Sequence, residues 1–284
     1  MVRLPVRVTI CISVLFLASL EPCACHTAIC SSTTSWQQSS GALVKLSVGP
    51  GGMWGVNIHN LTWYRDGTFG TPGHFGSGWT QVDGSLKDLD VGDDVVWGIT
   101  LEGNLACRKG IHEATPTGES WSTLNTKARD VAISPKGHLV GITQRGQMFF
   151  RAGLSSKCSK MGEWFTSTGS SLTLTQISIG EAGIWAVDVA DKIYYRPGSM
   201  GDKGNIGTEW KQVSGSLVTL GVGKDFVIGV NKNDDIWRRD GVTKCTPGGT
   251  NWVKLTGALK VVDAYNGCYA WGVNSGQNIW LGTF

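Results

Sequence analysis

Tryptophan recurs along this chain at a nearly constant spacing. Six tryptophans stand 42 to 46 residues apart, and each opens a segment of similar pattern: Trp36, Trp79, Trp121, Trp164, Trp210 and Trp252. We number these segments copies one to six. An internal period of about 40 to 50 residues is typical of small structural units that stack because none can bury its apolar face alone. The chain is therefore expected to form one repeat array over residues 26–284.

Each copy has the pattern of four short antiparallel strands. In copy five, residues 210–241, alternating or apolar runs are separated by the turn signals Ser214-Gly215, Gly223-Lys224 and Asn233-Asp234. Such runs, bounded by Gly, Asn, Asp and Ser, indicate tight hairpins. Four strands at this period predict an all-β, six-bladed β-propeller with four antiparallel strands per blade.

Two frames fit the repeats. The strand with the opening tryptophan belongs either to its own blade or to the outer edge of the preceding blade. In the second frame, residues 36–39 would close the ring against copy six.

Three further columns repeat within the copies. The second column is an aromatic or aliphatic residue followed by Gly or Ala and a β-branched residue, as in Trp54-Gly55-Val56. The third column contains Trp63, Ala106, Phe149, Tyr194, Trp237 and Trp280, and all thirteen tryptophans lie in the opening, second and third columns. Two residues further on stand Arg65, Arg108, Arg151, Arg196 and Arg239, with Gly282 in copy six.

These columns have structural and functional interpretations. Aromatic residues repeated at the opening and second positions are expected to pack blade against blade. The third column lies beside polar turns, and an aromatic plane next to amide or charged groups suits a sugar ring. The arginines either cover and pair with the scaffold or donate hydrogen bonds to a glycan. The longer loops between copies are an alternative position for a binding site.

The first 25 residues have the pattern of a secretory signal. Arg3 and Arg7 precede an apolar run over residues 8–20, which is too short to span a membrane, and small residues follow. We therefore expect a secreted, extracellular protein without a membrane span. The formal net charge of the whole chain is only +3, which argues against nucleic acid as an electrostatic partner.

The cysteines fit an oxidising compartment. Cys245 lies in the loop between copies five and six and Cys268 in a turn of copy six, so we predict a Cys245–Cys268 disulfide. If cleavage follows Cys25, five cysteines remain, and the odd one suggests a bond to another chain. Asn60-Leu61-Thr62 is a glycosylation sequon at a turn, where an occupied glycan and a plain turn asparagine are both reasonable.

The sequence gives no support for catalysis. The five histidines recur at no equivalent position, and the chain has no GxSxG or HExxH motif and no Cys/His zinc pattern. The paired acids Asp93-Asp94 and Asp234-Asp235 stand in turns, where aspartate is favoured for local hydrogen bonds. We therefore expect neither an enzyme nor a bound metal or cofactor.

The repeat resembles the tectonin repeat. The pattern W-x-x-V-x-G-S-L, seen at residues 79–86 and 210–217, is followed by a W-G-V-N-like run and I-W-x-R, and it extends over about residues 36–284. Similar proteins include fish-egg lectins and tachylectin-like lectins. The resemblance implies a six-bladed propeller that binds glycans on microbial or cell surfaces, of the N-acetylglucosamine type or in bacterial lipopolysaccharide, in innate defence or egg protection. The alternative that it implies is a lectin-like assembly subunit, disulfide-linked to a partner such as a pore-forming toxin chain, or a homo-oligomer.

The sugar site is expected in the copies that keep the asparagine after the second column, the third-column aromatic and the arginine. Copies one and five keep all three. Copy three has Thr143 and copy four Asp188 at the asparagine position, and copy six lacks the arginine. The predicted ligand-binding residues are therefore Asn57, Trp63, Arg65, Asn231, Asp235, Trp237 and Arg239.

Overall fold

The computed structural model describes residues 30–31, 33–151, 158, 164–166, 171–201 and 204–284. The predicted signal at residues 1–25 lies outside these ranges. The described residues form strands, turns and irregular segments, with no helix among them. The strands are β1 (Ser35–Ala42), β2 (Lys45–Gly49), β3 (Gly52–Val56), β4 (Leu61–Arg65), β5 (Trp79–Val91), β6 (Val96–Thr100), β7 (Asn104–Lys109), β8 (Ser120–Lys127), β9 (Asp130–Ile133), β10 (Leu139–Ile142), β11 (Met148–Arg151), β12 (Trp164–Thr166), β13 (Leu174–Gly180), β14 (Gly183–Asp188), β15 (Ile193–Tyr195), β16 (Lys211–Val213), β17 (Thr219–Val222), β18 (Val227–Val230), β19 (Asp235–Arg239), β20 (Trp252–Ala258), β21 (Val261–Asp263), β22 (Tyr269–Val273) and β23 (Asn278–Thr283).

These strands form an all-β propeller, as the sequence predicts. Four sheets have four antiparallel strands each, in the orders β9-β10-β11-β12, β13-β14-β15-β16, β17-β18-β19-β20 and β1-β23-β22-β21. A fifth sheet has seven strands, in the order β2-β3-β4-β5-β6-β7-β8. The prediction of six separate four-stranded blades is therefore wrong for copies one and two, which share one sheet.

The joining element is the long strand β5. Residues 79–82 and Ser85 of β5 pair with β4, with a register shift at residues 83–84, and Leu86 and residues 88–91 pair with β6. Gly84 has a positive φ of 93°, but Ser85 still pairs with Leu61 and Leu86 with Thr100, so no unpaired residue separates the two ladders. The Gly-Ser turn signal of the sequence thus becomes a bend within a continuous strand.

The ring closes between the first strand and copy six. One strand of each copy faces the axis, in the order β2, β5, β9, β13, β17 and β21; each contacts the next, and β21 contacts β2. The outer strand of the copy-six sheet is β1, in which Trp36 pairs with Gly282 and Gln38 with Trp280. The second frame is therefore the one found: the strand at each opening tryptophan pairs with the third strand of the preceding copy, as β1, β5, β8, β12, β16 and β20 pair with β23, β4, β7, β11, β15 and β19.

The core lies between neighbouring sheets. Trp54, Trp185 and Trp271 of the second column are fully buried. Each indole still donates a hydrogen bond from Nε1, to the carbonyl oxygens of Gly51, Ala182 and Pro72 respectively. These tryptophans therefore combine apolar packing with satisfied polar groups, which is the condition for burying an indole.

Candidate functional site

Two cavities stand at equivalent places in copies one and five. The first, about 350 Å³, is lined by Gly41, Ala42, Leu43, Asn57, Trp63, Trp79 and Ile279. The second, about 330 Å³, is lined by Ile193, Gly215, Ser216, Leu217, Asn231, Trp237 and Trp252. Both sizes suit a small ligand such as one sugar residue with its substituents. Four of the predicted site residues, Asn57, Trp63, Asn231 and Trp237, line them.

One wall of each cavity is the opening tryptophan of the next copy. The Nε1 of Trp79 donates to the carbonyl oxygen of Ser40 at 2.8 Å, and that of Trp252 donates to Ser214 at 2.7 Å. These bonds cross from one sheet to the outer edge of its neighbour and fix the indole planes. The sequence prediction gave these tryptophans packing roles only, because in the linear order they belong to the following copy.

A glycine beside each cavity leaves room for the tryptophan that forms the cavity wall. Gly41 and Gly215 have positive φ values of 96° and 114°. A Cβ at these positions would lie 2.9 Å from Trp79 Nε1 and 3.1 Å from Trp252 Nε1. Backbone conformation and close approach therefore both require glycine here.

The asparagines hold the turns beside the cavities. The Oδ1 of Asn57 accepts hydrogen bonds from the backbone N–H groups of His59 and Leu61, both at 3.0 Å. The Oδ1 of Asn231 accepts from Asn233 and Asp235 in the same way. Because Oδ1 is used by the turn, the amide Nδ2 is the group that each asparagine can offer to a ligand.

Copy five differs from copy one at its rim. The Nδ2 of Asn231 donates to Asp235 at 3.1 Å, and the other oxygen of Asp235 lies 2.7 Å from Lys254 Nζ. The hydrogen bonds from Lys254 and then Asn231 lower the pKa of Asp235. Lys254 Nζ also lies 5.9 Å from the centroid of the Trp237 ring. Asp235 is thus placed next to the cavity by its partners but is not part of the lining.

The predicted role of the arginines is corrected by the structure. Arg65 is 2% and Arg239 8% exposed, and neither lines a cavity. The Nε of Arg65 donates to the carbonyl oxygen of Phe75 at 2.9 Å, and the Nε of Arg239 donates to Gly248 at 2.9 Å. Burial lowers the pKa of both side chains. These arginines hold the loops between copies, so we leave them out of the candidate site.

At the third-column position, copies two to four have no half-exposed aromatic residue. Ala106, Phe149 and Tyr194 are buried, and the hydroxyl of Tyr194 donates to Asp188 at 3.1 Å. Asp188 thus pairs with the aromatic residue of its own copy. The expected exclusion of copies two to four from the site therefore has a geometric basis.

The disulfide prediction is wrong. Cys268 is bonded to Cys30, and Cys107 to Cys158, with Cα–Cα distances of 5.2 and 5.8 Å. Cys245 is also disulfide-bonded. Cys30 precedes β1, and the closure of the ring brings it next to Cys268, which the linear order of the loops does not reveal. All five described cysteines, Cys30, Cys107, Cys158, Cys245 and Cys268, are thus disulfide-bonded.

The sequon residue Asn60 has a left-handed backbone conformation, with φ of 61°. Its N–H donates to the carbonyl oxygen of Asn57 at 2.9 Å. This turn requires a residue that tolerates positive φ, for which asparagine is well suited. The backbone geometry therefore explains Asn60 without a glycan, and glycosylation stays a prediction.

Polar groups also converge on the propeller axis. Asp90 on β5 accepts a hydrogen bond from the N–H of Ile133 on β9, and Asp130 on β9 accepts one from Ile177 on β13, both at 2.6 Å. Asp263 accepts one from Val48 at 2.9 Å. The space between these strands is only about 50 Å³, which is too small for a sugar. These carboxylates link one axial strand to the next and are structural.

Burial raises the pKa of the axial aspartates. Desolvation is the main cause for all three: it raises the pKa of Asp130 to about 8, with a contribution from nearby Asp88, and that of Asp263 to about 6. The pKa of Asp90 is also raised, by burial and by Asp263. Lys45 pairs with Asp88 at 3.1 Å in the same space. Among the described residues, no group of three or more His, Cys, Asp and Glu is arranged to hold a metal ion, and no helix could cross a membrane.

Comparisons with known proteins agree with this architecture. Models of the tectonin domain match residues 23–133 and 124–275. The chain is similar to the perivitellin-2 31 kDa subunit of Pomacea maculata, with 30% identity over 246 residues that cover 83% of each chain. Among solved structures it is similar to the β-propeller domain of Cps50 (Swd1) from Myceliophteria_thermophila, with a TM-score of 0.54, 9% identity and 87% and 84% coverage. It is also similar to YCF48 bound to a D1 peptide, with a TM-score of 0.52, 14% identity and 85% and 77% coverage. At these identities the solved structures support the fold alone.

Proposed function

This chain belongs to the tectonin family, and we propose that it is a secreted carbohydrate-binding lectin. The observation that carries this proposal is the pair of equivalent cavities, each formed by one asparagine and two tryptophans from neighbouring repeats. A cavity built twice from the same residue types is more simply explained by a ligand that is bound twice than by packing, which would fill it.

The chemistry of the cavity suits a sugar of the N-acetylglucosamine type. The lining is mostly apolar, and Trp63 gives an aromatic surface, beside the edge of Trp79, on which sugar C–H groups or an acetamido methyl group can stack. The Asn57 amide supplies a hydrogen-bond donor for a hydroxyl or carbonyl oxygen. Neither group is charged, so binding is expected to depend little on salt.

Repetition would compensate for weak single sites. One stacked ring and one or two hydrogen bonds support only modest affinity, because association itself has an entropic cost. Two or more sites on one rigid ring can engage a surface that displays many glycans, and the second contact is then effectively intramolecular. Bacterial lipopolysaccharide and other glycan-rich surfaces are therefore the proposed targets, with a role in innate defence or egg protection and no enzymatic activity.

We also propose that the seven-stranded sheet serves as two blades, which makes the ring six-bladed. The support is that β2 and the second half of β5 each face the axis, like the innermost strand of every other sheet. Secretion is supported by the disulfides, which persist in oxidising compartments.

The test is binding of the secreted, purified protein to a glycan array and to N-acetylglucosamine beads. We expect retention on the beads and elution by free N-acetylglucosamine at the same salt concentration. If no glycan is bound on a broad array, the lectin proposal fails.

A second candidate is an assembly subunit. The similar Pomacea maculata protein is named as a 31 kDa subunit, which favours a role in a larger complex. Light scattering of the native protein, with and without reducing agent, separates the candidates. A stable hetero-oligomer without glycan binding would favour the assembly role, whereas a monomer that binds glycans would favour the lectin.

A further inference from the structure

Copy six repeats the complete lining of the copy-one cavity. The seven positions equivalent to Gly41, Ala42, Leu43, Asn57, Trp63, Trp79 and Ile279 carry identical residue types: Gly257, Ala258, Leu259, Asn274, Trp280, Trp36 and Ile236. Copy five, by contrast, has Ser216 in place of the alanine. We infer that the junction between copies five and six holds a third glycan site, an inference that rests on the lectin function proposed above.

The backbone and the tryptophan wall are arranged alike in both junctions. Gly257 has a φ of 100°, and a Cβ there would lie 3.2 Å from Trp36 Nε1 and 3.4 Å from Ile236 Cδ1. At Gly41 the corresponding distances, to Trp79 Nε1 and Ile279 Cδ1, are 2.9 and 3.3 Å. The glycine, the tryptophan and the isoleucine are therefore arranged alike at the two junctions.

The indole of Trp36 is fixed as in the other sites. Its Nε1 donates to the carbonyl oxygen of Thr256 at 2.7 Å, the bond that Trp79 makes to Ser40. Trp280 pairs across the sheet with Gln38, as Trp63 pairs with Gln81. Both third-column tryptophans are half-buried. Copy six thus presents two half-buried tryptophans, Trp36 and Trp280, at this junction.

Copy six also has the asparagine amide of the other sites. The Oδ1 of Asn274 accepts from the N–H groups of Gly276 and Asn278 at 3.0 and 2.9 Å, as Oδ1 of Asn57 does in its own turn. Within the described part of the chain, the Nδ2 groups of Asn274 and Asn57 have no hydrogen-bond partner. Each can therefore donate to a sugar hydroxyl or acetamido carbonyl.

The absence of an arginine in copy six does not weaken this site. In copies one, two, four and five the arginine donates to the loop that leads to the next tryptophan, as Arg65 donates to Phe75. The outer strand of the copy-six sheet is β1, which precedes the array and is not joined to β23 by a loop. Gly282 instead lies against the Trp36 ring, where a Cβ would be 2.5 Å from a ring carbon. Copy six thus needs no arginine, because no loop joins β23 to β1 for it to hold. The lack of this arginine is therefore no reason to exclude a sugar site in copy six.

The test uses the indole N–H signals in a ¹H–¹⁵N NMR titration of the whole protein with chitotriose. Tryptophan-to-phenylalanine variants assign the signals of Trp79, Trp252 and Trp36, which report on the junctions of copies one, five and six. We expect all three signals to shift. In the Trp63→Ala/Trp237→Ala double variant, we expect the Trp36 signal still to shift and the protein still to bind N-acetylglucosamine beads.

Two further variants make the result specific. Trp280→Ala should abolish the Trp36 shift and leave those of Trp79 and Trp252 unchanged. If Trp280→Ala does not fold, Asn274→Asp takes its place, because it keeps the turn acceptor but removes the Nδ2 donor. The chitotriose affinity obtained from the Trp36 signal should then be about tenfold weaker. Asn233→Asp, which adds the same charge on an exposed turn of copy five, is the control and should leave the Trp36 titration as in the parent protein.

If Trp79 and Trp252 shift and Trp36 does not, the third site is overturned and the lectin function stands. If none of the three signals shifts with chitotriose and the array is also negative, both fall together.

Discussion

The guanidinium of Arg239 covers the ring of Trp252, with 5.4 Å from Cζ to the ring centroid. The same side chain donates from Nε to the carbonyl oxygen of Gly248 at 2.9 Å. Arg65 and Trp79 form the equivalent pair at 5.2 Å. Each arginine thus fixes both the loop between copies and the outer face of the tryptophan whose edge lines a cavity. The arginine column supports the site without being part of it.

The first prediction concerns Arg239→Ala. The variant should lower the free energy of unfolding by about 2–4 kcal/mol, because it removes a buried side chain and leaves the loop carbonyls without their donor. Chemical denaturation followed by tryptophan fluorescence measures this. In the folded variant, the affinity of the copy-one site for chitotriose should be unchanged. A variant of parental stability that no longer binds chitotriose at the copy-five site would instead make Arg239 a ligand-contacting residue.

The second prediction concerns Trp237→Ala. It removes one wall of the copy-five cavity, so binding at that site should be lost while the other sites keep their affinity. Avidity for N-acetylglucosamine beads should then fall more than affinity for the soluble sugar, because one contact of a multivalent set is missing. Phe165→Ala is the control, since Phe165 is 40% exposed and lies outside both cavities. Equal bead binding by the parent and the folded Trp237→Ala variant would mean that the cavity is not the site.

The third prediction is a fall in stability as the pH rises. The raised pKa of Asp130, about 8, means that the folded protein holds a proton that the unfolded chain releases near pH 4. This contribution is complete below pH 4 and is lost as the pH rises through 8. The melting temperature should therefore be higher at pH 5 than at pH 8.5.

Asp130→Asn isolates this effect. An asparagine keeps an oxygen for the N–H of Ile177 but cannot ionise beside Asp88. At pH 8.5 the variant should be more stable than the parent by about 1–3 kcal/mol, and its melting temperature should depend less on pH. Identical pH profiles in both proteins would show that Asp130 does not release its proton in this range. Asp263, with a pKa of about 6, would then be the group to replace next.

Local patterns predict the strands and half of each cavity. Asn57 and Trp63 lie within one copy, so their spacing along the chain reveals that they are close in space. Trp79 comes from the next copy. Whether it lines the copy-one cavity depends on whether its strand pairs with the preceding copy, and the turn signals alone do not decide this. The arginine repeated at one position of the copies was also predicted to contact the sugar. The burial of Arg65 shows that this side chain holds the loop between copies instead.

The disulfides could not be predicted for a related reason. Cys30 and Cys268 are separated by 238 residues, and only closure of the ring by β1 brings them together. Spacing between neighbouring loops instead suggested Cys245. Pairing across the closure depends on the tertiary fold, which a linear pattern does not contain.

The fourth prediction is that the closure depends on Cys30–Cys268. The interactions that join the two ends of the array include the β1–β23 ladder, this disulfide, and Arg238, which donates to the carbonyl oxygen of Ser31 at 2.8 Å and lies 5.0 Å from the centroid of the Phe284 ring. Because the disulfide closes a very long loop, its loss should increase the entropy of the unfolded chain more than the loss of a short-range bridge.

The double variant Cys30→Ser/Cys268→Ser should therefore melt about 5–15 °C below the parent, which corresponds to a loss of about 2–4 kcal/mol. Cys107→Ser/Cys158→Ser is the matched comparison, since it removes a bridge across 51 residues and should cost less. Loosening of β1 should also weaken the copy-six site, because Trp36 stands on that strand, and should leave the copy-five site intact. Thermal unfolding and the Trp36 and Trp252 indole titrations measure these effects in the same samples. Equal melting temperatures for the first double variant and the parent would show that the contacts that remain, among them the β1–β23 ladder and Arg238, suffice to close the ring.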